Sequence, residues 1–203
     1  MKYRVHSHRN CEELFTTSPG YMSLWSEIRA SLDAITDEAL AERFCAEYEG
    51  KNKSMSALLN KMIKENLVAA GWSPESGIFS EGEYIHSTWR LDFAKEDVSV
   101  EVGFNHGEAV AWNLIKPVLA SELNHVHKAI QTSAGVIIAA TQDLKDAGGF
   151  DSAVGTWEKY VSYLRPLRNL LTVPLCIVGL EAPELFCLEH YKEGNRTYGR
   201  VSW

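Results

Sequence analysis

Residues 91–104 read LDFAKEDVSVEVGF, and this stretch decides the fold because it predicts a β-hairpin. Residues 91–93 and 98–104 run apolar or alternate between apolar and polar side chains, as strands of a half-buried sheet do. The segment 94–97 between them is rich in charge and predicts the turn. The sequence therefore predicts two adjacent antiparallel strands in the middle of the chain.

Two acidic residues of this hairpin, Asp92 and Glu101, predict a metal site. Opposing residues on adjacent strands have Cβ atoms about 5 Å apart, so the two carboxylates can face each other. A hard divalent cation such as Mg²⁺ relieves their repulsion, because it binds oxygen ligands and commonly uses one or two carboxylates. Such an ion lowers the pKa of a bound water and stabilises charge on a cleaved phosphodiester. The alternative is a solvent-exposed hairpin with ordinary surface acids.

The segments on either side predict an α/β fold with a central mixed β-sheet flanked by helices. Apolar residues at helical spacing predict helices at 23–35, 37–48, 55–70, 107–129 with an interruption near Lys116, and 152–171. Short apolar runs predict buried strands at 135–140 and 175–180, and a further strand at 185–191. Residues 77–89 predict a strand and a turn, and residues 3–6 a short edge strand or an arm. No glycine-rich phosphate-binding loop follows these strands, which argues against Rossmann and P-loop folds.

The composition predicts a single domain over residues 1–203. A chain of 203 residues that is 45% hydrophobic suits one substantial core. The formal net charge of −7 argues against a protein that coats DNA, because phosphate contacts need lysine and arginine. It leaves room for an enzyme that confines its positive charge to one cleft.

The four cysteines contain no CxxC pair, so a zinc cluster is not expected. The N-terminus has no apolar signal segment, and the apolar runs are too short to cross a membrane. We therefore expect a cytoplasmic protein with reduced thiols and no membrane contact.

The segment LDFAKEDVSVEVGFNHGEAVAWNL, residues 91–114, resembles the active-site hairpin and following helix of the BglII/BstYI group of type II restriction endonucleases. That group carries an Asp-Phe pair, a charged turn and a strand containing Glu-Val-Gln-Phe. Segments 23–32, 57–72 and 173–183 resemble the group's early helix, its helix ending in Trp, and its closing core strand. The chain thus resembles the restriction-endonuclease-like, or PD-(D/E)xK, nuclease superfamily over most of residues 20–183.

The resemblance implies a homodimeric, Mg²⁺-dependent nuclease that cuts double-stranded DNA at short palindromes with a GATC centre and leaves 5′ overhangs. It implies that Asp92 and Glu101 bind the metal and that Val102 contributes its backbone carbonyl. A companion DNA methyltransferase acting on the same site would be a natural partner.

The sequence departs from the family at the catalytic position Gly103. The BglII/BstYI group has Gln there and the wider superfamily has Lys, whose side chain orients the attacking water or contacts the scissile phosphate. Among nearby residues, Lys95, Asn105, His106 and Glu108 are candidates to replace it. A DNA-binding dimer that has lost cleavage is therefore an alternative function.

Five polar residues are candidates for contact with DNA. We expect Asn105 and His106, which follow the second strand, to lie near bases or phosphates. Lys51, Lys53 and Lys95 can meet phosphates. In each case a simpler role stays open, because Asn105 can cap the following helix and the lysines can be solvated.

A basic C-terminal segment, containing Lys192, Arg196 and Arg200, could clamp the DNA backbone or be merely solvated. The apolar residues of the helix after Asn105 could form a dimer interface or face the chain's own core. Two further alternatives are a repair or recombination nuclease of the same fold that reads DNA structure, and a protein unrelated to nucleic acid.

Overall fold

The computed structural model describes residues 1–85, 87–122 and 125–203. Its strands are β1 (Tyr3–His8), β2 (Ser73–Gly77), β3 (Arg90–Lys95), β4 (Val98–Val102), β5 (Ala134–Ala140), β6 (Leu175–Leu180), β7 (Cys187–Glu193) and β8 (Arg196–Ser202). Its α-helices are α1 (Cys11–Thr17), α2 (Pro19–Asp33), α3 (Asp37–Arg43), α4 (Ser56–Ala69), α5 (Val110–Ser121), α6 (Gln142–Ala147) and α7 (Trp157–Leu164). A π-helical turn (Phe44–Tyr48) extends α3.

The central element is a six-stranded sheet in the order β1-β6-β5-β4-β3-β2. Strands β4, β5 and β6 run parallel to one another, whereas β1, β3 and β2 pair antiparallel with their neighbours. The sheet is therefore mixed and helices pack on it, which confirms the predicted fold class. Strands β7 and β8 form a separate two-stranded sheet.

The two faces of the sheet belong to two different cores, as the alternation along β5 shows. Val136, Ile138 and Ala140 belong to the core that includes α1, α2 and α4. Ile137 and Ala139 belong to a second core, with α5 and α7. All these residues are buried, as expected for a strand covered by helices on both faces.

Strand β4 obeys the same alternation, and this orients the predicted site. Val98, Val100 and Val102 belong to the first core. Successive side chains of a strand point to opposite faces, so Ser99 and Glu101 point toward α5 and α7. An acidic side chain in the middle of β4 is thus directed into the molecule.

The predicted helix at 107–129 is too long, because α5 ends at Ser121. The backbone of residues 127–129 instead pairs with residues 78–80, through Ser80 N–H to His127 O and Ala129 N–H to Ile78 O. Leu123 and Asn124 lie outside the described residues. The expected interruption is also wrong, since α5 continues through Pro117.

The predicted helix at 152–171 is shortened to α7, and the six-residue helix α6 was not predicted. Residues 152–156 are held as a loop by backbone hydrogen bonds to the segment after β4. Gly107 N–H donates to Ala153 O at 2.6 Å, and Gly155 N–H donates to Asn105 O at 3.0 Å. This loop therefore packs beside the C-terminal end of β4.

The C-terminal basic segment is not a free tail but the hairpin β7–β8. Its Arg200 is paired with Glu189 at 3.0 Å. Gly199 N–H donates to Asn52 O at 2.9 Å, which attaches the hairpin to the loop before α4. Among the residues described, no helix is long and apolar enough to cross a membrane.

Candidate active site

The register of β3 and β4, continued by one pair beyond the observed ladder, brings Asp92 opposite Glu101. The paired positions run Lys95–Val98, Ala94–Ser99 and Phe93–Val100, and the next pair in this sequence is Asp92–Glu101. At that point side chains take over the hydrogen bonding between the strands. Val102 N–H donates to Asp92 Oδ2 at 2.7 Å, and Asp92 N–H donates to Glu101 Oε1 at 3.3 Å. Backbone N–H groups of the hairpin therefore hold both carboxylates.

Glu101 is the most deeply buried member of the site, with 0% of its surface exposed. Burial, and after it the neighbouring charge of Asp92, together raise the pKa of its carboxyl to about 8. The ammonium group of Lys116 opposes both effects. A buried carboxylate is costly unless it is paired, so Glu101 requires a positive partner in order to ionise.

Asp92 lies at the edge of a cleft and is partly exposed. Burial raises the pKa of its carboxyl, while Lys116 and the Val102 N–H lower it. The cleft has a volume of about 220 Å³. Its lining residues come from α4, the β2–β3 ladder and the end of β4: Asn60, Lys64, Pro74, Glu75, Asp92, Phe93, Val102 and Asn105.

The positive partner is Lys116, on α5. Its ammonium group forms an ion pair with Glu101 Oε2 and donates to Arg90 O at 3.2 Å. Only 8% of Lys116 is exposed. We had not predicted a role for Lys116, although a lysine within the apolar run of α5 was a usable signal, because a lysine is rarely buried unless it is paired.

Gly103 borders on Tyr160, which projects from α7. A Cβ atom at position 103 would lie 2.7 Å from Tyr160 Cζ and closer still to the hydroxyl oxygen. The hydroxyl accepts a hydrogen bond from Asn113 Nδ2 at 2.8 Å. Burial raises the pKa of Tyr160 to about 12, so its hydroxyl is neutral at ordinary pH. Position 103 is therefore filled from α7 rather than by its own side chain.

The donor atoms at this site fit a hard cation. Asp92 and Glu101 offer carboxylate oxygens, and Glu101 Oε2 accepts no hydrogen bond from the described residues apart from its ion pair with Lys116. Within the described ranges, no group of three or more His, Cys, Asp or Glu side chains could hold a metal. A cation here would therefore need further oxygen ligands, such as a carbonyl, water or phosphate, as Mg²⁺ commonly does.

Comparison with known proteins identifies the family. The family of restriction endonuclease BglII/BglIII matches residues 3–180 of the chain. The chain belongs to the BglII/BglIII restriction endonuclease family. It is thereby assigned to the type II site-specific deoxyribonucleases, as the sequence resemblance predicted. A comparison with curated proteins finds no match.

Two solved structures of BglII share the fold of this endonuclease. Restriction endonuclease BglII complexed with a DNA 16-mer is 20% identical, with a TM-score of 0.68, over 100% of this chain and 90% of the BglII chain. Free BglII is 16% identical, with a TM-score of 0.58, over 100% of this chain and 99% of the BglII chain. At this identity the comparison establishes the fold.

The residues after β4 of the endonuclease lie at the cleft. Asn105 lines it together with Asp92 and is exposed. His106 precedes the 3-10 turn Gly107–Ala109 and pairs with Val154 by a β-bridge. Asn105 is not the capping residue of this turn, since that position is His106 and its side chain makes no capping bond.

The loop before α4 carries the two remaining exposed lysine candidates. Lys51 donates to Glu47 O at 3.0 Å, which holds its ammonium against the protein. The side chain of Lys53 is exposed. The pKa of Asp151 is lowered chiefly by the Ala153 N–H and also by the charges of Lys53 and His106. Lys53 and His106 therefore both act on Asp151, in the loop that borders the C-terminal end of β4.

Lys95 is not brought to the cleft. It lies at the turn end of the hairpin, whereas Val102 lies at the other end of β4. Its ammonium group contacts both carboxylate oxygens of Glu27, at 2.8 and 2.7 Å, and donates to Ala70 O at 2.8 Å. The structure gives Lys95 a role in joining α2, α4 and β3, and we do not retain it as a DNA contact.

The apolar face of α5 packs within the chain rather than forming a free surface. Val110 and Leu114 have 0% of their surface exposed and belong to the core with α7. Val118 packs against the same core. The sequence left two roles open for this face, a dimer interface or the chain's own core. The structure favours the core.

Other cleft residues were also missed by the sequence prediction. Asn60 and Lys64 are one helical turn apart on α4 and both line the cleft, although their spacing resembles that of any solvated helix face. Glu75 of β2 also lines it, at a positive φ of 52°. The charge of Glu75 raises the pKa of Asp92. No local pattern in the sequence pointed to Glu75.

Proposed function

We propose that this restriction endonuclease hydrolyses both strands of DNA with Mg²⁺ at a short palindrome centred on GATC, leaving 5′ overhangs. The observation that supports the proposal is the cross-strand arrangement of Asp92 and Glu101. Each carboxylate is held by a backbone N–H of the hairpin. Asp92 lines a cleft open to solvent, and Glu101 lies buried next to it.

In this proposal Asp92 and Glu101 hold the cation, and the carbonyl of Val102 assists. When bound, Mg²⁺ supplies positive charge that lowers the pKa of a water and stabilises negative charge on the phosphodiester. The N–H of Val102 orients Asp92, and the N–H of Asp92 orients Glu101. These bonds reduce the reorganisation needed when substrate binds.

The remaining cleft residues would bind and position the DNA. Asn105 and Lys64 line the same opening as Asp92, where a phosphate must approach. Lys53 and His106 lie beside the neighbouring loop and extend a polar, partly basic rim. A local basic rim reconciles DNA binding with a net charge of −7.

The test is digestion of long unmethylated phage or plasmid DNA with Mg²⁺. Wild-type protein and the control variant Glu96→Gln, which removes an exposed acid from the same hairpin, should give the same discrete bands. Asp92→Asn and Glu101→Gln should give none, with DNA binding retained. Sequencing the ends gives the site and the overhang, and a smear without discrete bands would contradict site-specific cleavage.

A second function, sequence-specific DNA binding without cleavage, is favoured by one observation. Tyr160 leaves no space at position 103 for the side chain that BglII/BstYI-type nucleases use there. This alternative predicts no product with Mg²⁺ while specific binding to a GATC-containing duplex persists. The same digestion, followed by a binding assay on that duplex, separates the two functions.

We further propose that the protein acts as a homodimer, because a two-fold symmetric protein matches a palindrome. Sedimentation equilibrium should give the mass of two chains. A companion methyltransferase would have to protect the same site in the host. The four cysteines form no disulfide, which is consistent with the proposed cytoplasmic location.

A further inference from the structure

We infer that Lys116 of α5 replaces the side chain missing at Gly103 and supplies the positive charge of the active site. This inference rests on the proposed nuclease function. Lys116 acts through Glu101, whose carboxylate it contacts, and it is therefore a positioning residue. Two independent observations support it. Tyr160 fills the space beside Gly103, and the buried ammonium group of Lys116 contacts the carboxylate of Glu101.

Position 103 cannot carry the missing side chain in this fold. Tyr160 occupies the space where that side chain would begin, and it is itself held by the amide of Asn113. Tyr160 is 1% exposed and belongs to the core with α7, so it cannot turn aside without disrupting that core. A lysine or glutamine reaching the carboxylates must therefore start from another element.

Lys116 is placed to meet this requirement. Helix α5 packs on the face of the sheet toward which Glu101 points, and the ammonium group of Lys116 pairs with Glu101 Oε2. The hydrogen bond from Lys116 to Arg90 O at 3.2 Å fixes the ammonium at the start of β3. The charge of Lys116 also lowers the pKa of Asp92, so the ammonium acts on both carboxylates while it contacts Glu101.

The other lysines near the hairpin do not reach the two carboxylates. Lys95 is committed to Glu27 at the far end of the strands. Lys64 lines the cleft from α4, on the opposite face of the sheet from α5. Among the ion pairs of the described residues, the pair Lys116–Glu101 is the one that includes a carboxylate of the proposed metal site.

The role that follows is electrostatic and requires no proton transfer by Lys116. Hydrolysis forms a bond from a water oxygen to phosphorus as that water releases a proton to solvent, and it breaks the bond from phosphorus to the leaving oxygen, which takes up a proton from solvent. Negative charge increases on the phosphate oxygens as this occurs. An ammonium group held beside Glu101 offsets that charge and fixes the carboxylate. Fixed charges in a site of low dielectric stabilise such a transition state without reorganising.

The test compares Lys116→Met, Lys116→Gln and Lys116→Arg in single-turnover cleavage of a duplex containing the recognition site. Lys95→Met serves as the matched control, since it also removes a partly buried lysine that pairs with a glutamate, Glu27 of α2. We expect Lys116→Met and Lys116→Gln to slow cleavage about 100-fold or more. Lys116→Arg should recover part of the rate, and Lys95→Met should cleave at the wild-type rate.

Two readouts separate this role from a structural one. DNA affinity measured without metal should change less than about threefold in all four variants, and thermal unfolding should show a single cooperative transition. If Lys116→Met does not fold, Lys116→Gln and Lys116→Arg carry the comparison. Wild-type cleavage rates in both Lys116→Met and Lys116→Gln would overturn the inference alone, whereas a wild-type protein that never cleaves would overturn the nuclease function and this inference with it.

Discussion

The hydroxyl group of Tyr160 lies where the side chain of any residue other than glycine at position 103 would begin. The two residues are 57 positions apart in the sequence and meet because α7 packs against the end of β4. The absence of a family side chain at Gly103 is therefore matched by an aromatic ring that fills its space. The structure makes position 103 a packing position as well as a departure from the family pattern.

We predict that Gly103→Ala destabilises the protein by about 1–3 kcal/mol, because an added methyl group would collide with Tyr160 in a packed core. Urea unfolding measures the change. Gly20→Ala is the matched control, since a Cβ at position 20 meets nothing within 4 Å. Combining Gly103→Ala with Tyr160→Ala should cost less than the sum of the two single changes. Strict additivity would contradict a steric conflict.

We predict that the metal-free protein loses stability as the pH rises from about 4.5 to about 8. The folded state holds the proton of Glu101 up to a pKa of about 8, chiefly because the carboxyl is buried, whereas the unfolded chain releases it near the ordinary value of 4.5. The free energy of unfolding should therefore decrease with pH, by at most about 1.4 kcal/mol per pH unit from this group.

Urea midpoints measured across that pH range, with a chelator present, test this dependence. Glu101→Gln cannot titrate and should give a flatter profile. Parallel profiles for the wild type and Glu101→Gln would show that Glu101 is not protonated in the folded state over this range.

We predict that Lys64→Met weakens DNA binding and reduces the salt dependence of the binding constant by about one unit of slope, because one phosphate contact is lost. Lys61→Met is the control on the same helix, since the ammonium group of Lys61 pairs with Glu47 at 2.6 Å. Binding titrations at several salt concentrations measure both slopes. Equal slopes for the two variants would remove Lys64 from the DNA surface.

We predict that Lys95→Met lowers stability by about 1–2 kcal/mol, because it leaves Glu27 and the carbonyl of Ala70 without their shared donor. The salt dependence of DNA binding should stay that of the wild type. Thermal or urea unfolding measures the first effect and binding titrations the second. A stable variant with a reduced slope would restore Lys95 to the DNA contacts.

The hairpin could be predicted from the sequence because its information is local. Alternating apolar residues define two strands, a charged turn joins them, and a register with a short turn brings Asp92 opposite Glu101. The strand at 175–180 was predicted with its observed bounds for the same reason. The helix predictions fail at 127–129 and 152–156, where backbone hydrogen bonds to distant segments replace the helix. They also fail after Leu164, where residues 165–170 form turns.

The sequence by itself thus determined the family, the mixed α/β fold and the pair of carboxylates. These features depend on short-range periodicity and on the order of the family-like segments along the chain. The tertiary structure alone decided what surrounds the pair. Lys116, Tyr160 and Asn113 reach the site from α5 and α7, and Lys95 is drawn away from it to Glu27. Such contacts arise from helix packing on a twisted sheet, and the spacing of residues along the chain does not encode them.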